Sequence, residues 1–241
     1  MKFLKHLLSL VLVVGLVIKL PEVHYNYIRN SVGNKVVSIT NASGSSGGTG
    51  FHVNSPSGKT YILTNSHVCS HVQVNGLVLV HDAEGNSLPR RVLLDSDFTD
   101  LCVVEAMPGA SGLSLGTAPN AGEIVAVVGH PELMPLTMTR GEIIGEQELL
   151  VMDHVIESED DKCDLPKNII KEVNVFIFSF KACCVKINAY LSNVTILPGS
   201  SGSPVINFYG NIVGVAFAGD NDSNWGSFVT LPDIQKMLKA F

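Results

Sequence analysis

Short apolar or alternating runs, each bounded by Gly, Pro, Asn, Asp or Ser, recur along most of the chain. Lys35–Thr40 alternates with the period of two that puts successive side chains on opposite faces of a strand. Phe51–Val53 and Tyr61–Thr64 flank Asn54-Ser-Pro-Ser-Gly58, the pattern of a hairpin. Further strands are predicted at 72–74, 77–80, 91–94, 101–104, 124–128, 137–144, 173–180, 185–191, 205–207, 212–217 and 227–230. Strands this short, at this spacing, argue an all-β sandwich or barrel. Only residues 232–241 read as helix, with Pro232 in the first turn and Ile234, Met237, Leu238 and Phe241 on one face. The turn-rich stretch around Ala118–Gly122 divides the β-rich region into halves of about 35–117 and 122–230.

Two segments break the pattern. Lys2, Lys5 and His6 precede an apolar run over Leu7–Ile18, expected to be an N-terminal apolar helix acting as a signal peptide or membrane anchor within residues 1–20. The run is shorter than the roughly 20 residues of a membrane span, and no small-x-small cleavage site follows it, so removal and retention both stay open. Either route carries the remaining chain outside the cytoplasm, secreted or membrane-anchored, with membrane attachment through residues 7–18. Residues 21–34 read as a polar linker. Asp153–Lys171, with the acidic patch 157–161, reads as an exposed insertion loop or short helix within an odd region around 150–184.

Composition narrows the function classes. The 241 residues are 46% hydrophobic with a net charge of −6, enough chain for a sizeable core. No Lys/Arg cluster exceeds Arg90-Arg91, which argues against a nucleic-acid-binding basic face. The five cysteines permit disulfides in an oxidising compartment and leave one thiol over, with connectivity open. No Cys/His spacing matches a zinc site, so no metal is expected. Cys102, in an apolar run, reads most simply as a small core residue.

Candidate chemistry lies in three short stretches. Pro198-Gly-Ser-Ser-Gly-Ser-Pro-Val205 is turn-forming, yet Ser201 alone has Gly two residues before it and Gly directly after. Such glycines let backbone amides turn into one concavity, and the amides of Gly199 and Ser201 are the candidate oxyanion donors. A serine hydroxyl attacks a carbonyl only with a base in reach, and the base needs an acid to hold its tautomer. His67, in Thr64-Asn-Ser-His-Val-Cys69, follows a predicted strand directly. His24, His71, His81, His130 and His154 lack that context. Asp100 immediately precedes an apolar strand, with Asp95 and Asp97 as competing carboxylates.

The order His67, Asp100, Ser201 in these contexts resembles the trypsin-like (chymotrypsin-fold) serine proteases across about residues 35–241. Gly48-Thr-Gly-Phe-His-Val53 and Thr64-Asn-Ser-His-Val68 look like the strands leading to the catalytic histidine, and Thr99-Asp-Leu-Cys-Val-Val104 like the aspartate segment. Val127-Val-Gly-His-Pro131 and Thr139-Arg-Gly-Glu-Ile143 resemble the opening strands of the second barrel. Gly199–Val205 followed by Gly210–Val215 looks like the nucleophile loop and the next hairpin. The glutamyl endopeptidases and the high-temperature-requirement proteases are the most similar groups. The resemblance implies two six-stranded β-barrels with a short C-terminal helix, a Ser-His-Asp triad, a polypeptide substrate and no cofactor. Ser200 stands where the family usually has Asp or Asn. Ala216 stands where the glutamyl endopeptidases carry a histidine for the substrate carboxylate, so a neutral or apolar primary pocket is expected, lined by Ile196, Leu197, Val215, Ala216 and Phe217. The competing expectation is a non-catalytic, membrane-tethered binding module on the same fold.

Overall fold

The computed structural model describes residues 23–41, 44, 46–70, 72–96, 98–156, 168–175, 178–220 and 225–241. The apolar run 7–18, His71, Asp97 and the acidic patch 157–161 lie outside them. Six antiparallel strands close the first barrel: β1 (Val36–Thr40), β2 (Gly47–Asn54), β3 (Thr60–Thr64), β4 (Leu77–His81), β5 (Ser87–Ser96) and β6 (Leu101–Glu105), in the order β1-β2-β3-β6-β5-β4. The alternation read from the sequence fills its interior with Val37, Ile39, Ile62, Val78, Val80, Val92 and Val104. The stretch 72–74, expected as a strand, lies at a turn in which Asn75 takes a φ of 74°.

The second sheet contains β7 (Ile124–Gly129), β8 (Thr137–Ile156), β9 (Asn168–Val175), β10 (Phe178–Ser192), β11 (Pro204–Ile206), β12 (Ile212–Asp220) and β13 (Trp225–Thr230). Their order is β13-β12-β11-β7-β8-β10-β9, and β10 also pairs with β13 between Ala189 and Ser192. That pairing makes a ring of six strands and leaves β9 outside it, on the free edge of β10. Between the barrels, Phe51, Leu63, Leu101 and Val103 of the first pack with Val128, Ile206, Ile212, Val215 and Val229 of the second. Each such side chain contributes roughly 1.5–3 kcal/mol on full burial. Helix α3 (Leu231–Leu238) adds Ile234, Met237 and Leu238 to this seam, as its one-sided apolar pattern predicts.

Two expectations about the periphery need correction. The segment read as a linker forms helix α1 over residues 23–33. Ile28 and Val32, one helical turn apart, enter the seam between the barrels. Arg29 donates to the Leu136 carbonyl at 2.9 Å, His24 stacks on Phe208 with ring centroids 3.9 Å apart, and Arg140 sits 4.0 Å above the Tyr25 ring. The polar, Asn- and Tyr-bearing composition hid this helix, because its stability comes from tertiary packing and not from propensity. Of the region read as a loop or short helix, 153–156 and 168–171 instead extend the second sheet, and the part between them lies outside the described residues: β8 runs to Ile156 and pairs with β10 as far as Lys181, and β9 begins at Asn168.

Candidate active site

His67 sits on a single helical turn, α2 (Ser66–Cys69), entered from β3. Asp100 sits at the tight turn entering β6, with a φ of 49°. The left-handed region costs an ordinary residue roughly 1–2 kcal/mol and is visited by Asp more readily than most. Here it aims the carboxylate at the α2 turn. His67 Nδ1 lies 3.0 and 2.9 Å from the two Asp100 carboxylate oxygens, and the His67 backbone N–H donates to Oδ1 at 3.1 Å. The Asp100 side chain is 13% exposed while that of His67 is 48% exposed, so the pair is anchored below and open to solvent above. With Nδ1 donating to the carboxylate, Nε2 is left as the acceptor. Of the competing carboxylates, Asp95 lies in β5 opposite Cys102 and Asp97 is outside the described residues.

Among the three serines of the turn, Ser200 and Ser203 are buried and Ser201 is half-buried. The Ser203 hydroxyl faces Gly129, where a Cβ would stand 1.9 Å from it. The hydrogen bonds of the loop define the direction of its amides. The Pro198 carbonyl accepts from Glu132 N–H at 2.7 Å, and the Ser200 carbonyl accepts from Ser203 N–H at 3.0 Å. In a trans peptide the C=O and N–H point oppositely, so anchoring these two carbonyls turns the amides of Gly199 and Ser201 the other way. Neither amide has an acceptor among the described residues. Gly199 has a φ of 83° and a Cβ there would stand 2.5 Å from the Glu132 nitrogen, so only glycine fits.

The first barrel holds this loop through Thr49 on β2. Its N–H donates to the Ser201 carbonyl at 2.8 Å, and its hydroxyl donates to the Gly199 carbonyl at 2.9 Å while accepting from His130 N–H at 2.9 Å. Gly202 closes onto the same strand, where a Cβ would meet the Thr49 carbonyl at 2.0 Å. Gly48 lies between the two halves of the site: a Cβ on it would be 2.7 Å from Val68, the neighbour of His67, and 2.9 Å from the Ser201 carbonyl. Burial pushes His130 below its ordinary value, opposed by its hydrogen bond to the Met134 carbonyl. Thr49, Asn65 and Glu132 were not singled out from the sequence, and His130 was read there only as a histidine without the expected strand context. Their roles are contacts between distant segments, and a Thr in Gly48-Thr-Gly50 carries no mark of them.

A cleft of about 630 Å³ opens beside His67 and Asp100. Its apolar wall comes from Leu149, Leu150 and Val151 of β8, Val185 and Ile187 of β10, and Phe217 and Trp225. Ser201 is carried on its own loop and is not part of this cleft's lining. Of the five expected pocket residues, Phe217 lines the cleft, at a bulge in β12 between Ala216 and Ala218 that re-aims its side chain. Ile196, Val215 and Ala216 are buried in the core, and Leu197 is half-buried where its carbonyl accepts from Ser200 N–H. Apolar character marked these positions, and apolar character serves core and pocket alike. Cys69 and Cys102 form a disulfide, so Cys102 is more than a small core residue; Cys184 is a free, buried thiol.

Two antiparallel β-barrels meeting at a histidine–carboxylate pair and a glycine-flanked serine define a peptidase-type architecture. The profile of the trypsin-like peptidase domain matches residues 48–215, and the chain belongs to that family. It is 25% identical over 189 residues to the serine protease HtrA-like of Staphylococcus aureus (strain bovine RF122 / ET3-1), covering 74% of this chain and 21% of that protein. The chain thus spans about a fifth of the length of the curated relatives it matches. Among solved structures it is similar to the Rv3671c protease of M. tuberculosis in its active form, with a TM-score of 0.67, 21% identity, and 91% and 86% of the two chains covered. The serine endoprotease from Yersinia pestis matches with a TM-score of 0.64 and 19% identity, over 90% of this chain and 65% of the other.

Proposed function

We propose that the protein is a serine endopeptidase acting through Ser201, His67 and Asp100. The observation that carries this reading is His67 Nδ1 at 2.9–3.0 Å from both oxygens of a carboxylate set under it, with Nε2 left to take a proton. Ser201 Oγ attacks a peptide carbonyl and His67 Nε2 accepts the hydroxyl proton. Asp100 stabilises the imidazolium that results. The tetrahedral oxyanion is met by the amides of Gly199 and Ser201, whose carbonyl partners are tied back into the fold. His67 then gives its proton to the leaving amine, an acyl-enzyme remains on Ser201, and water returns by the same route. No cofactor enters this sequence of steps. The substrate is a polypeptide, and the Leu149–Val151, Phe217 and Trp225 wall favours apolar side chains.

The Cys69–Cys102 disulfide supports an oxidising compartment, in keeping with export or anchoring through residues 7–18. A serine-directed fluorophosphonate, with mass-spectrometric mapping, tests the assignment. Wild type is labelled on Ser201 and hydrolyses a fluorescent unfolded protein; Ser201→Ala does neither. Full hydrolysis by Ser201→Ala would refute the triad. Unlabelled, inactive but folded wild type would favour a non-catalytic binding module.

A further inference from the structure

We infer that the Cys69–Cys102 disulfide and Asn65 are positioning residues that hold Asp100 under His67. This rests on the serine endopeptidase reading and names parts of the site that the reading itself does not need. The disulfide joins two positions of matching offset: Cys69 lies two residues after His67, and Cys102 two residues after Asp100. It therefore ties the end of the histidine turn to the start of the aspartate strand, across a sequence separation of 33. Cys102 is fixed in the barrel by pairing with Thr64 on one side and Asp95 on the other. Cys69 has no such ladder. It ends a helix of four residues with no side-chain cap, too short to persist by itself.

Asn65, the residue that opens this turn, makes the second tie. It is fully buried, and its Nδ2 donates to the Asp100 carbonyl at 2.9 Å. That bond acts on a backbone unit whose φ, at 49°, is unfavourable for a residue with a side chain. Such a conformation persists only when its surroundings over-determine it. Two independent anchors, one covalent at 102 and one hydrogen-bonded at 100, bracket the turn, and both lead to the segment that carries His67. Both sulfurs belong to residues with no exposed surface in the first barrel's core, so the bond is a permanent staple shielded from solvent thiols and not a switch.

The test uses the full chain in three forms, wild type, C69A/C102A and N65A, at a temperature where circular dichroism shows each folded. Hydrolysis of a fluorogenic peptide gives kcat and KM separately. The low-field NMR signal of the His67 Nδ1 proton reports its bond to Asp100 directly. The expected result is a kcat lower by roughly 10- to 100-fold in each variant, as for a small misplacement of catalytic groups. KM stays within about twofold, the Nδ1 proton signal is lost or broadened, and fluorophosphonate labelling of Ser201 is slowed. Asn65→Ser, which keeps a side-chain donor, recovers part of kcat. A folded C69A/C102A with wild-type kcat and an unchanged Nδ1 proton signal would overturn the role of the disulfide. If that variant does not fold, N65A decides: wild-type kcat there overturns the proposal. Absence of hydrolysis and labelling in wild type sinks the endopeptidase reading instead, while the NMR signal still reports whether the staple holds the pair.

Discussion

Thr49→Val removes one oxygen and keeps the shape of the side chain. The hydroxyl bridges two backbone groups of different segments, accepting from His130 N–H and donating to the Gly199 carbonyl, each at 2.9 Å. Thr49 has no exposed surface, so water cannot replace the hydroxyl without rearrangement. Each backbone group left unpaired costs about 1–3 kcal/mol, giving roughly 2–6 kcal/mol for the two. The methyl that replaces the hydroxyl recovers about 1 kcal/mol by apolar burial, and relaxation lowers the upper end, leaving a net loss of roughly 2–4 kcal/mol. For a chain of this size that lowers Tm by roughly 4–16 °C. The catalytic effect is separate. The Gly199–Ser200 peptide lies between the two amides proposed to meet the oxyanion, and freeing it unsettles both. Loss of one such donor costs roughly 10²–10³ in kcat. The assay is peptide hydrolysis at saturating substrate well below the variant's Tm, beside a thermal melt. Thr49→Ser keeps the hydroxyl and stays within about threefold of wild-type kcat. A Thr49→Val protein with wild-type kcat and Tm would refute the reasoning, and so would a Thr49→Ser protein as damaged as Thr49→Val.

Gly202→Ala meets the Thr49 carbonyl at 2.0 Å with a φ of 84°. Displacement of the loop from β2 is expected, with fluorophosphonate labelling lost at a temperature where the strand signal in circular dichroism survives. The buried His52 gives a pH dependence of stability. Its Nδ1 donates to the Lys35 carbonyl at 3.2 Å and its Nε2 accepts from Met107 N–H at 3.2 Å, so it is held neutral. Burial lowers its pKa, opposed by the Lys35 bond and by Asp82. Below about 6.5, the ordinary value in the unfolded chain, the unfolded state binds a proton that the native state does not. This contribution is complete above about pH 6.5 and is lost as pH falls through the folded value. Urea melts of wild type and His52→Gln should therefore show a stability difference that narrows between pH 7 and pH 4.5; a difference constant with pH would contradict it.

The sequence was most informative where a candidate residue sits against a recognisable local backbone pattern. His67 directly after a strand, Asp100 directly before one and Ser201 between two glycines each carry a backbone signature in their neighbours. The barrels were legible for a similar reason, since the alternation of Lys35–Thr40 and short apolar runs such as Leu101–Val104, set off by turn residues, mark strands. What escaped is non-local. Helix α1 owes its place to Ile28 and Val32 reaching a seam formed by two barrels far along the chain. The extension of β8 and β10 is recorded only in pairings such as Lys181 with Ile156 across an insertion. Thr49, Asn65 and Glu132 act through hydrogen bonds to residues 35 to 150 positions away, and no window of sequence contains both partners.

The proposed acid and base stand on one barrel and the proposed nucleophile on the other, with Thr49 and Gly48 at the crossing. Each barrel closes its own hydrogen-bond ladders, so a small slip of one against the other leaves every strand intact. Spectroscopic measures of secondary structure would be blind to such a slip, while hydrolysis, which falls steeply with sub-ångström misalignment, would register it at once. On the proposed reading, turnover is thus a gauge of how the two halves are registered, and any substitution at the seam that lowers hydrolysis without melting the protein reports on alignment before stability.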